Sequence, residues 1–331
     1  MQNYWINRKK ELLTVAIKNE NKTLQEIKKL YNRKLDDLEK SIAQYYANYG
    51  ADNVIDYQEL LKAMTVEERA KLYQKTEQLI QERPELARFT EVRYSYYKLQ
   101  RLEGLHADML LQLYEMGAIE EEILYNRLAT TYKDSYYKSL YNNAMYYEIT
   151  RKYNTVDKTI LDMILNKRWV AGKNFSERIW KATSTLSDIL KNEFGQMLAS
   201  GTSLDKMTKR LKELFNTKWH EAERLVRTES AFVVEQANLN AYKEDGIQEY
   251  KFLATLDTRT SKKCRGLDGK VFKIIEAVEG VNYPPVHPYC RSTTISAMSK
   301  PKYRAMNIGR GYERIEFMKY DDWYNKYIRA S

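Results

Sequence analysis

A mainly helical chain ending in a smaller α+β domain with a short antiparallel sheet is the fold class this sequence predicts. Three observations carry that expectation. Apolar residues recur at steps of three and four over most of the chain before Gly246, the spacing of one helix face. Alternating and β-branched stretches gather after Gly246. Cysteine and proline, nearly absent before Leu256, cluster between Leu256 and Thr294. Both cysteines (Cys264 and Cys290), His287, Pro284, Pro285 and Pro288 fall in that stretch.

Taken in order, residues 1 to about 50 read as one long helix, a helical hairpin or coiled-coil arm. Leu24, Ile27, Tyr31, Leu35, Leu38, Ile42, Tyr45 and Tyr49 share a face, and Gly50 stops the helix. Thr65 and Glu68 have capping-box spacing and open a second helix that ends before Pro84. The pattern stays helical from Leu86 to about Tyr147, with a break expected near Gly117. Tyr125, Tyr132, Tyr136, Tyr137, Tyr141, Tyr146 and Tyr147 form an aromatic face there. The polar stretch TRKYNT at 150–155 marks the main boundary. It divides a helical assembly region (1–150) from an α+β domain (151–300), and a basic, aromatic tail (301–331) follows.

Within the second region, Asn174 and Glu177 repeat the capping spacing and start a helix closed by Gly201. A short helix carrying Leu204, Met207, Leu211 and Leu214 comes next. A separate, longer one runs from about Thr217 to Asp245 and bears Arg224, Arg227 and Glu229. Residues 247–256, 270–274 and 291–297 read as strands, with Asp268-Gly269 as the turn dipeptide between the first two.

Composition bounds the function. The 331 residues carry a net charge of +10, from 55 basic and 45 acidic side chains, which favours nonspecific contact with a polyanion such as DNA. The charges are well mixed, with no block of five like charges, so solvated helix faces are the first reading. Tyrosine outnumbers phenylalanine 28 to 8, which suits surfaces half-buried against a partner as well as core rings on wet helices. No apolar run reaches the roughly 18 residues that span a bilayer, and the N-terminus lacks the apolar stretch of a signal peptide. A cytoplasmic product is expected.

The chemistry-bearing residues sit in the cysteine stretch. Cys264, His287 and Cys290 are soft ligands suited to tetrahedral zinc, with Asp257 or Asp268 as a candidate fourth. The alternative, two buried thiols and a hydrogen-bonded histidine that stiffen a loop, has equal standing on spacing alone. A Cys264–Cys290 disulfide is disfavoured in a reducing cytoplasm. Arg227 and Glu229 are two apart on one helix and face different ways, so each needs a partner from elsewhere; a structural tie to the cysteine loop is expected. Phosphate-loop, HExxH, GxSxG and HxE…PCxxC patterns are absent, and His106 and His220 stand isolated in helical patterns. In the tail, Lys302, Arg304, Arg310 and Arg314 are DNA-contact candidates.

Four blocks in order, NFSERIW (174–180), RLVRTESAFV (224–233), FLATLDTRTSKKCRGLDGKVF (252–272) and YPPVHPYCRSTT (283–294), resemble the phage Mu F-like minor head, or head morphogenesis, proteins. The resemblance covers roughly residues 165–297. It implies a non-enzymatic minor capsid protein associated with the portal vertex inside the procapsid, aiding head assembly, DNA packaging or DNA delivery. The implied partners are the portal protein and scaffold or major capsid protein. The implied location is the host cytoplasm during assembly and then the capsid interior near the portal. Many relatives carry a CxxC where this chain has Ser261 before Cys264, so either no cofactor or an incomplete zinc site is implied. Some relatives continue into a toxin enzyme; the roughly 30 residues after Ala297 make that variant unexpected. Two rivals remain at this stage. One is a metal-dependent hydrolase or nuclease built on Cys264, His287 and Cys290, with Glu229 or Asp268 as acid/base. The other is a plain DNA-binding protein.

Overall fold

The computed structural model describes residues 4–89, 99–149, 152–153, 155–297, 303–308 and 312–329. The helical character and the late antiparallel strands are as the sequence predicts. The chain forms two compact units. One comprises Met1–Thr23, Leu124–Phe175 and Arg224–Ser331; the other comprises Leu24–Ile123 and Ser176–Glu223. They interleave along the sequence, whereas the sequence reading divides the chain consecutively at 150 and 300. Helices α1 (Tyr4–Tyr49), α4 (Arg101–Tyr147) and α8 (Leu204–Glu244) each supply residues to both.

The unit built from 24–123 and 176–223 is helical. It also contains a two-strand hairpin, β1 (Gly50–Ala51) with β2 (Val54–Ile55), then α2 (Tyr57–Leu61) and α3 (Val66–Glu82). Most of α6 (Phe175–Ile189), a π turn at Leu190–Phe194 and α7 (Gly195–Ala199) complete it with the first part of α8. Thr65 caps α3 as expected: its hydroxyl accepts from Glu68 N–H, and the Glu68 carboxylate accepts from Thr65 N–H at 2.7 Å. On α1, Leu24, Ile27, Tyr31, Leu38 and Ile42 are buried, and so is Lys34, which donates to Glu115 at 2.6 Å. A second buried ionic group lies deeper. Tyr31 Oη donates to Glu120 Oε2 at 2.7 Å, and Lys218 Nζ lies 3.7 Å from the same oxygen.

Two expected breaks are not there. Helix α4 runs through Gly117, because this glycine serves a close approach: a Cβ would stand 3.0 Å from Thr183 Oγ1 and 3.4 Å from the Trp180 ring. Helix α8 runs through Thr217, whose hydroxyl donates back to Glu213 O at 3.2 Å and so stays within the helix. At the other end of the expected Leu86–Tyr147 run, Pro84–Phe89 forms a 3-10 turn and α4 begins at Arg101.

The other unit packs α5 (Lys158–Leu165) and the later parts of α4 and α8 with a three-stranded antiparallel sheet of order β4-β3-β5. The strands are β3 (Glu249–Leu253), β4 (Val271–Lys273) and β5 (Thr293–Ser296), with Tyr250 opposite both Phe272 and Ser296. Leu239, Tyr242, Ile247, Tyr250, Ile274 and Tyr283 close its core. The tyrosine face of α4 is partly internal: Tyr132 and Tyr136 stack at 6.0 Å between centroids, and Tyr147 Oη donates to Ser296 Oγ at 2.6 Å. Between β3 and β4 lies the six-residue α9 (Lys262–Leu267).

The tail is more ordered than the sequence suggests. Strands β6 (Tyr303–Asn307) and β7 (Tyr312–Glu316) pair as a hairpin, and α10 (Tyr320–Tyr324) leads into a π turn at Asn325–Arg329. Ile315, Tyr320 and Trp323 bury against Leu256. Lys302 and Arg310 lie outside the described residues.

Candidate functional site

Local sequence sets the site up. Ser261 is the N-cap of α9, and its hydroxyl accepts the Cys264 N–H at 3.2 Å, which orients the third residue of the helix inward. After α9, Gly269 takes φ +72°, the left-handed region where only glycine is free of strain, and the chain turns into β4. On the approach to β5, Cys290 N–H donates to His287 O at 3.2 Å, closing a tight turn. Tyr289 sits in that turn at φ +59°, and its N–H donates to Thr228 Oγ1 on α8 at 3.2 Å.

These constraints bring Cys264, His287 and Cys290 together, with ligand atoms all within 4.8 Å of one another. The two sulfurs are 3.7 Å apart, and Cys264 Sγ is 3.2 Å from His287 Nε2. Both cysteines are buried and free, so the structure holds a dithiol and no disulfide. His287 Nδ1 faces Pro288 O at 2.7 Å; a carbonyl only accepts, so Nδ1 carries the proton. In the neutral ring, Nε2 then presents its lone pair to Cys264 and to Ser261 Oγ, 2.9 Å away. The Cys264 thiol is pulled well below its ordinary range, first by the hydrogen bond from Cys290 and then by Ser261, Ser292 and His287, against the cost of burial. The Cys290 thiol is correspondingly pushed up by the same hydrogen bond and by burial.

The two aspartates do not join this group. Asp257 accepts from both terminal guanidinium nitrogens of Arg291, from the Arg259 N–H and from the Thr260 hydroxyl. Burial opposes its charge, but the Arg291 hydrogen bonds and charge outweigh it and hold the carboxyl below its usual range. Asp268 is buried and takes Ala254 N–H at 2.8 Å, Tyr320 N–H at 2.8 Å and two Arg304 contacts at 2.5 and 2.8 Å. Both carboxylates are thus engaged by other donors, away from the Cys264–His287–Cys290 group. The DNA-contact reading of Arg304 is corrected with it: Arg304 is 5% exposed and joins the tail to α9. Arg314 is exposed, with its guanidinium carbon 4.6 Å from the Tyr303 ring centroid.

Arg227 pairs with Glu20 on α1, and buried Glu229 accepts from Trp169 Nε1 at 3.1 Å. Thr228, between them, makes the tie to the cysteine loop noted above. Sequence reasoning also passed over Glu235. Its buried carboxylate accepts from Thr293 Oγ1 at 2.6 Å and Asn238 Nδ2 at 3.2 Å, fixing β5 to α8. The available signal was a carboxylate in step with Asn238 and Tyr242 on an otherwise apolar helical face.

Residues 188–295 match the family described as Phage Mu protein F like protein. The chain is also similar to a protein of Enterococcus faecalis (strain ATCC 700802 / V583) named NAD(+)--arginine ADP-ribosyltransferase EFV. The two are 31% identical over 180 residues, which is 49% of this chain and 36% of the relative. The chain thus spans about a third of that relative's length. No solved structure matches.

Proposed function

We propose, from the match of residues 188–295 to the Phage Mu protein F like family, that this chain is a minor capsid protein that associates with the portal vertex inside the procapsid. There it assists head assembly, DNA packaging or DNA delivery. The observation that carries this reading is the family match, which spans most of α8, the three-stranded sheet and the cysteine site. A surface feature supports it. Ile275, Val278 and Val281, within seven residues of the β4–β5 connection, are 91%, 50% and 60% exposed. Exposed apolar side chains so close together in the chain suit burial against a protein partner, here the portal with scaffold or major capsid protein beside it. The +10 net charge and exposed Arg314 suit nonspecific contact with packaged DNA. No described helix is long and apolar enough to cross a membrane. The protein works in the host cytoplasm during assembly and then in the capsid interior.

In this reading the chain performs no catalysis. The residues that an acid/base mechanism would draw on, Asp257, Asp268 and Glu229, are all engaged by structural donors. The transferase activity in the relative's name belongs to a protein nearly two-thirds of which lies outside the match.

Quantitative mass spectrometry of purified particles tests the proposal. A few copies per particle, together with retention of the chain on immobilised portal protein, are expected. Absence from procapsids and virions with no portal binding overturns it. Transfer of labelled ADP-ribose from NAD to an arginine-rich protein by the purified chain would overturn the non-enzymatic part alone.

A further inference from the structure

We propose that Cys264, Cys290 and His287 hold one zinc ion, with a solvent oxygen held by Ser261 in the fourth position. The inference rests on this chain's geometry and does not depend on the head-protein reading.

The donor spacing is that of a tetrahedral centre. Zinc–sulfur bonds of about 2.3 Å at tetrahedral angles place two sulfurs about 3.8 Å apart, and a sulfur and an imidazole nitrogen about 3.6 Å apart. The Cys264–Cys290 separation, 3.7 Å, matches; Cys264 Sγ to His287 Nε2, 3.2 Å, is a few tenths short, and the Cys290–His287 pair lies within 4.8 Å, so closing the three donors on one ion takes a shift of up to about 1 Å. The hydrogen bonding already suits a cation. Nδ1 donates to Pro288 O, the contact that fixes a ligating histidine's tautomer, and Nε2 presents its lone pair to the Cys264 sulfur. A nitrogen lone pair and two sulfurs converging in a buried space are short of positive charge, which zinc supplies while displacing the thiol protons.

Ser261 decides the fourth position. Its Oγ lies 2.9 Å from Nε2 and already accepts the Cys264 N–H, so it lines the open side of the group and can hold a bound water. The nearby carboxylates of Asp257 and Asp268 are taken by Arg291 and Arg304. Among the described residues no carboxylate joins the donor group, and the ion would tie the start of α9 to the turn before β5, on which Tyr289 reaches Thr228.

The test uses the full chain purified without chelator. Elemental analysis should find one zinc per chain, and the metal-stripped protein should take up one Co2+ with thiolate-to-cobalt charge-transfer bands and tetrahedral d–d intensity. Cys290→Ser and His287→Ala should reduce metal content at least tenfold. Ser261→Ala should keep zinc, and Ser261→Cys should bind more tightly and add a third thiolate to the cobalt spectrum. Wild-type protein with native circular dichroism that contains no zinc and gives no cobalt–thiolate bands would overturn the proposal. So would an intact mass two hydrogens light with no free thiols, which reports a Cys264–Cys290 disulfide instead. If Cys290→Ser or His287→Ala fails to fold, the wild-type cobalt titration alone decides.

Discussion

Replacing Arg304 with methionine isolates the contact that holds the tail to the sheet unit. Methionine keeps most of the apolar stem and removes the guanidinium. Asp268 would keep the Ala254 and Tyr320 N–H bonds, both 2.8 Å, but lose the charge of Arg304, while the Met318 and Ala254 carbonyls lose donors. Both side chains are nearly inaccessible, at 5% and 1%. Removing one member of such a pair costs about 3–5 kcal/mol, chiefly through the charge left behind. Adding Asp268→Asn removes that charge and should recover about half of the loss. Urea denaturation gives the magnitude. Hydrogen exchange in 303–308 and 312–329 gives the location, because the tail should open before the rest. A variant within about 1 kcal/mol of wild type, with unchanged tail exchange, would refute the reasoning and assign the anchoring to the Ile315, Tyr320 and Trp323 cluster with the Tyr320 and Asn307 hydrogen bonds.

Gly117→Leu should destabilise the helical unit by about 1–3 kcal/mol, since even a Cβ meets Thr183 Oγ1 at 3.0 Å; an unchanged melting temperature would show that the helices can part there. Thr65→Ala removes the hydroxyl half of the α3 capping box, leaving Glu68 N–H without its cap while the residue-65 N–H to Glu68 remains, and should cost about 0.5–2 kcal/mol in urea denaturation. The Asp257 carboxyl is held below its unfolded value of about 3.9, so its contribution is complete above that pH and lost as pH falls through the lower folded value. Melting scans from neutral to strongly acid pH should therefore fall less steeply for Asp257→Asn than for wild type, and parallel curves would contradict this. A chain cut after Ala297 keeps the Ala254 N–H bond to Asp268 but removes those from Arg304 and Tyr320; it should be poorly soluble, whereas a cooperative native melt would show that the tail is dispensable.

Much of the architecture was legible because it rests on periodicity. The α1 face, the Thr65–Glu68 box and the three strands all follow from local pattern. What failed was the assumption that charge means solvent. Lys34 and Lys218 are buried because Glu115 and Glu120 meet them from elements far away in sequence, which no helical window reveals. Arg304 was assigned to DNA for the same reason: its acceptor lies 36 residues earlier, on the far side of the sheet strands in the chain. Clustering in the sequence locates the cysteine group but not the residues that hold it in place. Proximity in the sequence gave no hint that Thr228 would dock Tyr289, or that both candidate aspartates would be neutralised by arginines.

The short helix α9 explains why the cysteine stretch is the densest part of the sequence in unusual residues. Six residues cannot fold alone, since helices below about 12–15 residues are marginal in water. Helix α9 is therefore held from both ends: Ser261 and Cys264 bind it to the His287–Cys290 turn, and Asp268 at its C-terminal cap binds Arg304 and Tyr320 of the tail. The family-matched segment contains the first set of contacts but only half of the second, because Arg304 and Tyr320 lie beyond residue 295. The tail is thus part of the hydrogen bonding that holds α9, and its exposed Arg314 is presented from the β6–β7 hairpin.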